Sequence, residues 1–438
     1  MKASPPIYFL DGGLGTTLAD KFGCKFDDST PLWSSQLLLS STGSQVLQEC
    51  HLAFVNAGAD LITTATYQAS TQEFINALAQ REELQIKNGS ADDEGIPNAK
   101  ITYELKETKE EFPETLITTE KYGRLEREEI NRKFCKKELT ILQAHKYMRN
   151  AVKLARLSFG GKKGTVVLGL GAAGACLKPS QEYTGNYVGS EVGTSISSIR
   201  KWHLERLCVF AQDRKDNKLE KVDESLPFCK TNDFYNCWND VDLVAFETLP
   251  LLQEIIAIRE AMAQVYDIGS HYNLSDAGAT TASMFGKKVA RKDFWISCVF
   301  PGEEYQLPDG SSIANVIRSM LCKREKAEIP MGIGINCISI GKLETLIKKY
   351  EEVIFDMILR GEIESWPCLI IYPDGTNGEV YNTATHEWET KENYDLNSVG
   401  TIYLLKFFCA AFFSSLALVY STFKGLKSQG MTDVLTFT

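Results

Sequence analysis

The chain has 438 residues, 44% hydrophobic and 24% charged, enough apolar material for one barrel-sized domain with additions or for two or three smaller ones. Its formal net charge of −10, with no long stripe of Lys and Arg, excludes a nucleic-acid binder because nothing in it would neutralise a run of phosphates. The first ten residues hold no secretory apolar core, and the 12 cysteines are scattered without a Cys-x-x-Cys pair, which reads as reduced thiols in the cytoplasm.

In chain order, short β-branched or apolar runs alternate with longer helical patterns, which predicts β-α units around a parallel sheet. Candidate strands cover 7–10, 61–65, 165–170, 242–246, 294–299, 331–336 and 368–372. The stretch 44–56 reads as a helix whose Val46, Leu47, Cys50, Ala53 and Phe54 form one buried stripe. An eighth unit would close a barrel. Two charged stretches, 84–138 and 212–236, read as surface insertions, and 270–286 reads as a loop rich in Gly, Ala, Ser and Thr. The five histidines are isolated and read as structural or surface groups.

In a parallel barrel the chemistry sits where strands end. The first candidate strand runs into Asp11-Gly12-Gly13-Leu14-Gly15-Thr16, where glycines allow a sharp turn and a close approach while a carboxylate stands at the rim. A phosphate loop is a poor fit, because there is no Walker lysine and Leu18 replaces the third fingerprint glycine. The carboxylate suits a cationic group such as an ammonium better. The second strand exits through hydroxyls from Thr63 and Thr64 to Ser70, able to hold a polar head group or simply to fill a strand. The fourth ends in Phe246-Glu247-Thr248-Leu249-Pro250, a second carboxylate at the mouth or an ordinary acidic helix start. The sixth ends in Gly334-Ile335-Asn336-Cys337, whose thiol is a candidate nucleophile or soft metal ligand, or else a small core residue.

Together with Gly171 to Ala175, Glu182 to Tyr187 and Tyr372 to Tyr381, these segments resemble the homocysteine S-methyltransferase family, most of all its fungal members that use S-adenosylmethionine or S-methylmethionine. The resemblance runs from Asp11 to about Trp388. It implies a TIM-type (β/α)8 barrel that makes methionine by methylating homocysteine, with zinc held by three cysteine thiolates of which Cys337 matches the first. It further implies that Asp11 and Glu247 grip the substrate ammonium and that Thr63 and Thr64 lie near the carboxylate. Such zinc would take the homocysteine sulfur in its fourth position and strip its proton, since the free thiol titrates near about 8.5. Tyr67, Tyr183 or Tyr187 are available to steady a sulfonium donor through their ring faces, or simply to pack.

The sequence also departs from the family. Its Gly-Gly-Cys-Cys motif, source of the other two zinc ligands, has no counterpart, as no two cysteines are adjacent. The expected organisation is therefore a homocysteine-binding barrel over 1–398, its eighth strand degenerate or absent, followed by a divergent apolar tail over 399–438. Three readings of the tail compete: a degenerate strand with Cys409 as a surviving ligand, a membrane anchor broken by Lys406, or an altered reading frame or retained intron. Ala172-Ala173 stands where many relatives carry Pro-Tyr. Two functions stay open, an active methyltransferase without membrane attachment, or a catalytically impaired barrel that still binds an amino acid.

Overall fold

The computed structural model describes residues 7–26, 32–88, 124–211, 236–267, 289–373, 379–382, 387–390 and 406–409. Seven of its strands fall on the seven apolar runs: β1 (Ile7–Tyr8), β2 (Leu61–Thr63), β3 (Thr165–Gly171), β4 (Leu243–Leu249), β5 (Asp293–Cys298), β6 (Gly332–Asn336) and β7 (Cys368–Tyr372). From β2 to β7 neighbouring strands are parallel and in sequence order. Two further strands, β8 (Glu379–Asn382) and β9 (Glu387–Thr390), pair only with each other.

The eighth place in the ring is taken by β10 (Lys406–Cys409), antiparallel to both β7 and β1. A parallel strand needs a crossover to the opposite face, whereas an antiparallel one runs straight back from the face where its neighbour ends. Leu61 N donates to Phe9 O at 3.1 Å and Asp11 N donates to Leu61 O at 3.0 Å, so the two edges meet and the sheet curls into a barrel. The stretch after 398 is therefore continuous with the sheet through residues 406–409; the rest of the proposed tail lies outside the described residues.

The helices are α1 (Leu14–Phe22), α2 (Ser41–Asn56), α3 (Thr71–Asn88), α4 (Arg124–Ser158), α5 (Ile196–Ala211), α6 (Cys237–Asp240), α7 (Leu252–Asp267), α8 (Ile313–Leu321) and α9 (Ile340–Leu359). Helix α2 starts three residues before its sequence reading because Ser40 caps it, its hydroxyl accepting from Gly43 N at 3.0 Å. Leu47, Cys50 and Phe54 of the predicted stripe are buried. The first insertion is helical at both margins, where α3 and α4 extend into it; 89–123, 212–235 and 268–288 lie outside the described residues. No helix among the described residues is long and apolar enough to cross a membrane.

Alternation along the strands separates two cores. Outward residues such as Val166, Leu168, Phe246, Ile296 and Ile333 pack against the helices. Inward residues Leu61, Val167, Ala245, Trp295 and Ile370 form the barrel's own apolar floor. One step further along each strand, the inward residues turn polar.

Candidate active site at the barrel mouth

Above that floor the inward positions are Thr63 on β2, Gly169 and Gly171 on β3, Glu247 on β4, Ser297 on β5, Gly334 and Asn336 on β6 and Tyr372 on β7. Asp11 joins them from the exit of β1, 4% exposed. Its two oxygens accept from Thr63, Oδ2 from the backbone amide at 2.7 Å and Oδ1 from the hydroxyl at 2.9 Å. Burial still dominates and pushes the Asp11 carboxyl up to about 7. Glu247 rises to about 8, first through burial and then through the negative charge of Asp11, with Arg206 pulling weakly the other way. The two acids face each other across β3, where Gly169 leaves the space: a Cβ there would lie 2.3 Å from Thr63 Cγ2 and 3.3 Å from Glu247 Oε1. Two carboxyls raised by burial, one of them further by the charge of the other, suit a cation as their partner.

Thr64 does not join this site. Its amide donates to Val167 O at 2.9 Å, its hydroxyl shares a 2.6 Å hydrogen bond with Thr66, and the same hydroxyl accepts from Gly169 N at 3.2 Å. Thr64 follows the last residue of β2, and its hydroxyl is engaged with Thr66 and the backbone of β3. Thr63 does line the mouth, but its amide and hydroxyl are both spent on Asp11.

Cys337 lies beside the end of β7, its amide donating to Tyr372 O at 3.2 Å. Its φ is +48°, and Thr248, one residue past Glu247, has φ +60°; both are strained for residues with a Cβ. Asn336, fully buried, ties them together. Its Oδ1 accepts from Thr248 N at 3.0 Å, and its Nδ2 donates to Thr248 Oγ1 at 2.7 Å and to Cys337 Sγ at 3.1 Å. Thr248 Oγ1 approaches the same sulfur at 3.6 Å.

Tyr67 stands over this group. Burial, then the charges of Glu182, Cys337 and Glu247, hold its phenol well above the usual range, so it stays protonated. Its ring occupies the gap left by Gly171, where a Cβ would meet it at 2.7 Å, and packs edge-on against Trp33 at 6.2 Å. Trp33 in turn fills the space above Gly15, where a Cβ would lie 2.1 Å from its ring. In the Asp11 turn, then, Gly15 makes room for the chain's own Trp33 rather than for the close approach of a ligand. Tyr187 belongs to the support, since it is fully buried and donates to Glu254 at 2.6 Å. Glu254 also accepts from Ala173 N at 2.7 Å and pairs with His203 at 2.8 Å. Tyr183 packs half-buried against the outer core.

Helix α5 supplies a support that had no signal in the sequence. Arg206, 2% exposed, donates to Ala69 O at 2.6 Å, Thr66 O at 2.7 Å and Gly171 O at 2.8 Å, and to Tyr67 O as well. It clamps the exits of β2 and β3 together beneath Tyr67.

Three thiolates for zinc are not assembled among the described residues. Among the described residues, no three His, Cys, Asp or Glu side chains come together as a metal-holding group. Cys298 faces outward into the helix core, and Cys368 sits on the barrel floor. Cys409 pairs in register with Cys368 at the start of β7, whereas Cys337 lies at the other end of that strand beside Tyr372. Four residues of strand separate the two levels by about 13 Å. Cys409 therefore stands at the wrong end of the barrel to be a surviving ligand.

An α/β barrel with paired acids at its strand ends is the class that the fold and the mouth define. The sequence profile described as homocysteine S-methyltransferase matches residues 8–100 and 113–403, and the chain belongs to that family. It is 24% identical over 390 residues to a betaine-homocysteine S-methyltransferase of Drosophila melanogaster, covering 87% of this chain and 82% of the relative. A selenocysteine Se-methyltransferase of Brassica oleracea is 23% identical over 393 residues, 89% and 78% of the two chains. Among solved structures, a metallated homocysteine methyltransferase of Escherichia coli aligns with a TM-score of 0.46 and 19% identity, covering 84% of each chain.

Proposed function

We propose that this chain is a homocysteine S-methyltransferase, in which Asp11 and Glu247 bind the ammonium of homocysteine and the acceptor sulfur points toward Cys337 and Tyr67. The observation that carries the reading is the carboxyl pair, raised to about 7 and about 8 at the end of a family barrel. An ammonium between them would reverse the cost of their burial and fix the amino acid's orientation.

The methyl donor in this reading is a sulfonium, S-adenosylmethionine or S-methylmethionine. Transfer from sulfonium to a sulfur anion forms one S–C bond, breaks another and removes charge from both partners, so exclusion of water from the two ions favours it. The phenyl face of Tyr67 is placed to steady the cation until that charge is lost. The family implies zinc, but the described donor set does not fit it, and no step here runs through the metal. No disulfide joins the nine cysteines whose side chains are described, which suits a reducing cytoplasm.

The test is methionine formation from L-homocysteine with each donor, with and without added zinc. Methionine above the uncatalysed background, reduced in Glu247→Gln, is the expected result. No methionine from either donor, in folded protein that still binds homocysteine, would overturn catalysis and leave an amino-acid-binding barrel.

A further inference from the structure

Between β3 and α5 the chain forms a loop over 172–187 that touches the neighbouring strand exits on both sides. Ala172 N donates to Glu247 O at 3.1 Å, and Cys176 Sγ donates to Gln68 O, past the exit of β2, at 3.3 Å. Gly185 lies against the chain beyond β4, where a Cβ would meet Leu251 at 2.5 Å and Pro250 at 3.6 Å. Within the loop Glu182 is buried, and its charge acts on the Tyr67 phenol more strongly than any other. The loop therefore faces the ring that the reading above gives to the sulfonium.

Both limbs of this loop are fastened to one side chain. Glu254, in the first turn of α7 and fully buried, accepts from Ala173 N at 2.7 Å with Oε1 and from the Tyr187 hydroxyl at 2.6 Å with Oε2. The same Oε1 lies 2.8 Å from His203 Nε2 on α5. The other ring nitrogen of His203 is buried with no partner among the described residues, so the network places the ring proton on Nε2, facing Glu254. Three donors thus converge on one carboxylate: the start of the loop, its end, and the helix that follows. Between the limbs the loop bonds to itself, Gln181 N donating to Gly174 O and Gly185 N to Gln181 O, each at 2.8 Å. Its outer tie, Lys178 to Glu73 at 2.9 Å, leaves the lysine half exposed and so holds the loop weakly.

We propose that Glu254 is a positioning residue for the methyl donor: it touches no reacting atom, and it sets the 172–187 loop over Tyr67 by holding both limbs. The proposal rests on the sulfonium reading above. Helix α7 follows directly from the exit of β4, so the tie also registers the loop against the strand that carries Glu247. The position requires a two-headed polar group. A methionine would fill the space but strand a backbone amide, a phenol and an imidazole. A glutamine keeps one oxygen for Ala173 N and His203 and turns its amide toward the Tyr187 oxygen, which retains both limbs. Homocysteine, held by Asp11 and Glu247, makes no use of the loop.

The test is calorimetric titration of the full chain and of Glu254→Gln, Glu254→Ala and Tyr187→Phe, at a temperature where melting curves show each folded. The probes are L-homocysteine and the two sulfonium compounds, S-adenosylmethionine and S-methylmethionine. Glu254→Ala should weaken the sulfonium that the parent binds by about tenfold or more, and Tyr187→Phe, which unties one limb, by roughly threefold. Glu254→Gln should stay within about twofold of the parent, and homocysteine affinity should hold in every variant. Unchanged sulfonium affinity in folded Glu254→Ala, or a loss shared equally with homocysteine, would overturn the positioning role alone. Should Glu254→Ala fail to fold, Tyr187→Phe decides in the same way. A parent that binds neither sulfonium would overturn the donor reading and this proposal with it.

Discussion

Asn336 clasps Thr248 by two hydrogen bonds, accepting from its amide at 3.0 Å and donating to its hydroxyl at 2.7 Å, and so holds a β-branched residue at φ +60°. Such a backbone costs about 1 to 3 kcal/mol and persists only where its neighbours enforce it. The clasp also fixes the ends of β4 and β6 against each other, and with them Glu247 and Cys337.

Asn336→Ala should therefore lower stability by about 2 to 3 kcal/mol, the scale for stranding a buried amide and hydroxyl. Denaturant melts check it. Thr248→Gly, which relaxes the backbone while losing one hydroxyl, should fall well short of that loss. Equal losses in both variants would mean that the left-handed turn is not held by Asn336.

The carboxyl pair has a stability signature whose sign follows from its raised values. Asp11 and Glu247 favour the folded state while protonated, so their contribution is full below about pH 4 and is lost as pH rises through about 7 and about 8. Glu247 is half-buried, and solvent screening tempers its share. Asp11→Asn and Glu247→Gln should each raise the melting temperature by a few degrees at pH 8.5 and leave it nearly unchanged at pH 4. A variant that melts lower at pH 8.5 would show that the acids are ion-paired in the ligand-free protein.

Arg206 offers a third check. Four backbone carbonyls, of Thr66, Tyr67, Ala69 and Gly171, depend on its guanidinium. Arg206→Met should cost about 3 kcal/mol or more, because buried acceptors lose their donor. The intrinsic fluorescence of Trp33, which packs on Tyr67, should shift as the mouth loosens. Unchanged melting would remove the clamp.

For the metal, Cys337 is the one described thiol at the mouth, and a single sulfur does not make the thiolate-rich site zinc prefers. The purified chain should contain well under one zinc, and Cys337→Ser should leave that content unchanged. One tightly held zinc that disappears in Cys337→Ser would mean that residues outside the described set complete a site.

Much of the barrel was legible because buried parallel strands are short continuous apolar runs, and all seven runs became strands in the expected order. Asp11, Glu247 and Cys337 were legible for a related reason: a polar residue ending such a run marks a strand's exit. What the sequence could not supply was orientation and partnership. Thr63 and Thr64 looked equivalent in the sequence, but the hydroxyl of one is bound to Asp11 and that of the other to Thr66. Arg206 and Glu254 sit on helices among other charged residues, and only packing shows that they are buried. The antiparallel β10 had no periodic signal at all, being four residues in a long apolar stretch.

The most direct test of the site is titration of L-homocysteine into the parent and Glu247→Gln at several pH values. Because an ammonium stabilises the ionised acids, parent affinity should rise from pH 6 to about pH 8, with protons released on binding. Glu247→Gln should bind about 1 to 3 kcal/mol more weakly at pH 8, the scale for losing a charged hydrogen bond, and show a flatter pH profile. Equal affinity in a folded Glu247→Gln protein, with no proton release in the parent, would contradict the assignment of Asp11 and Glu247 as the ammonium site.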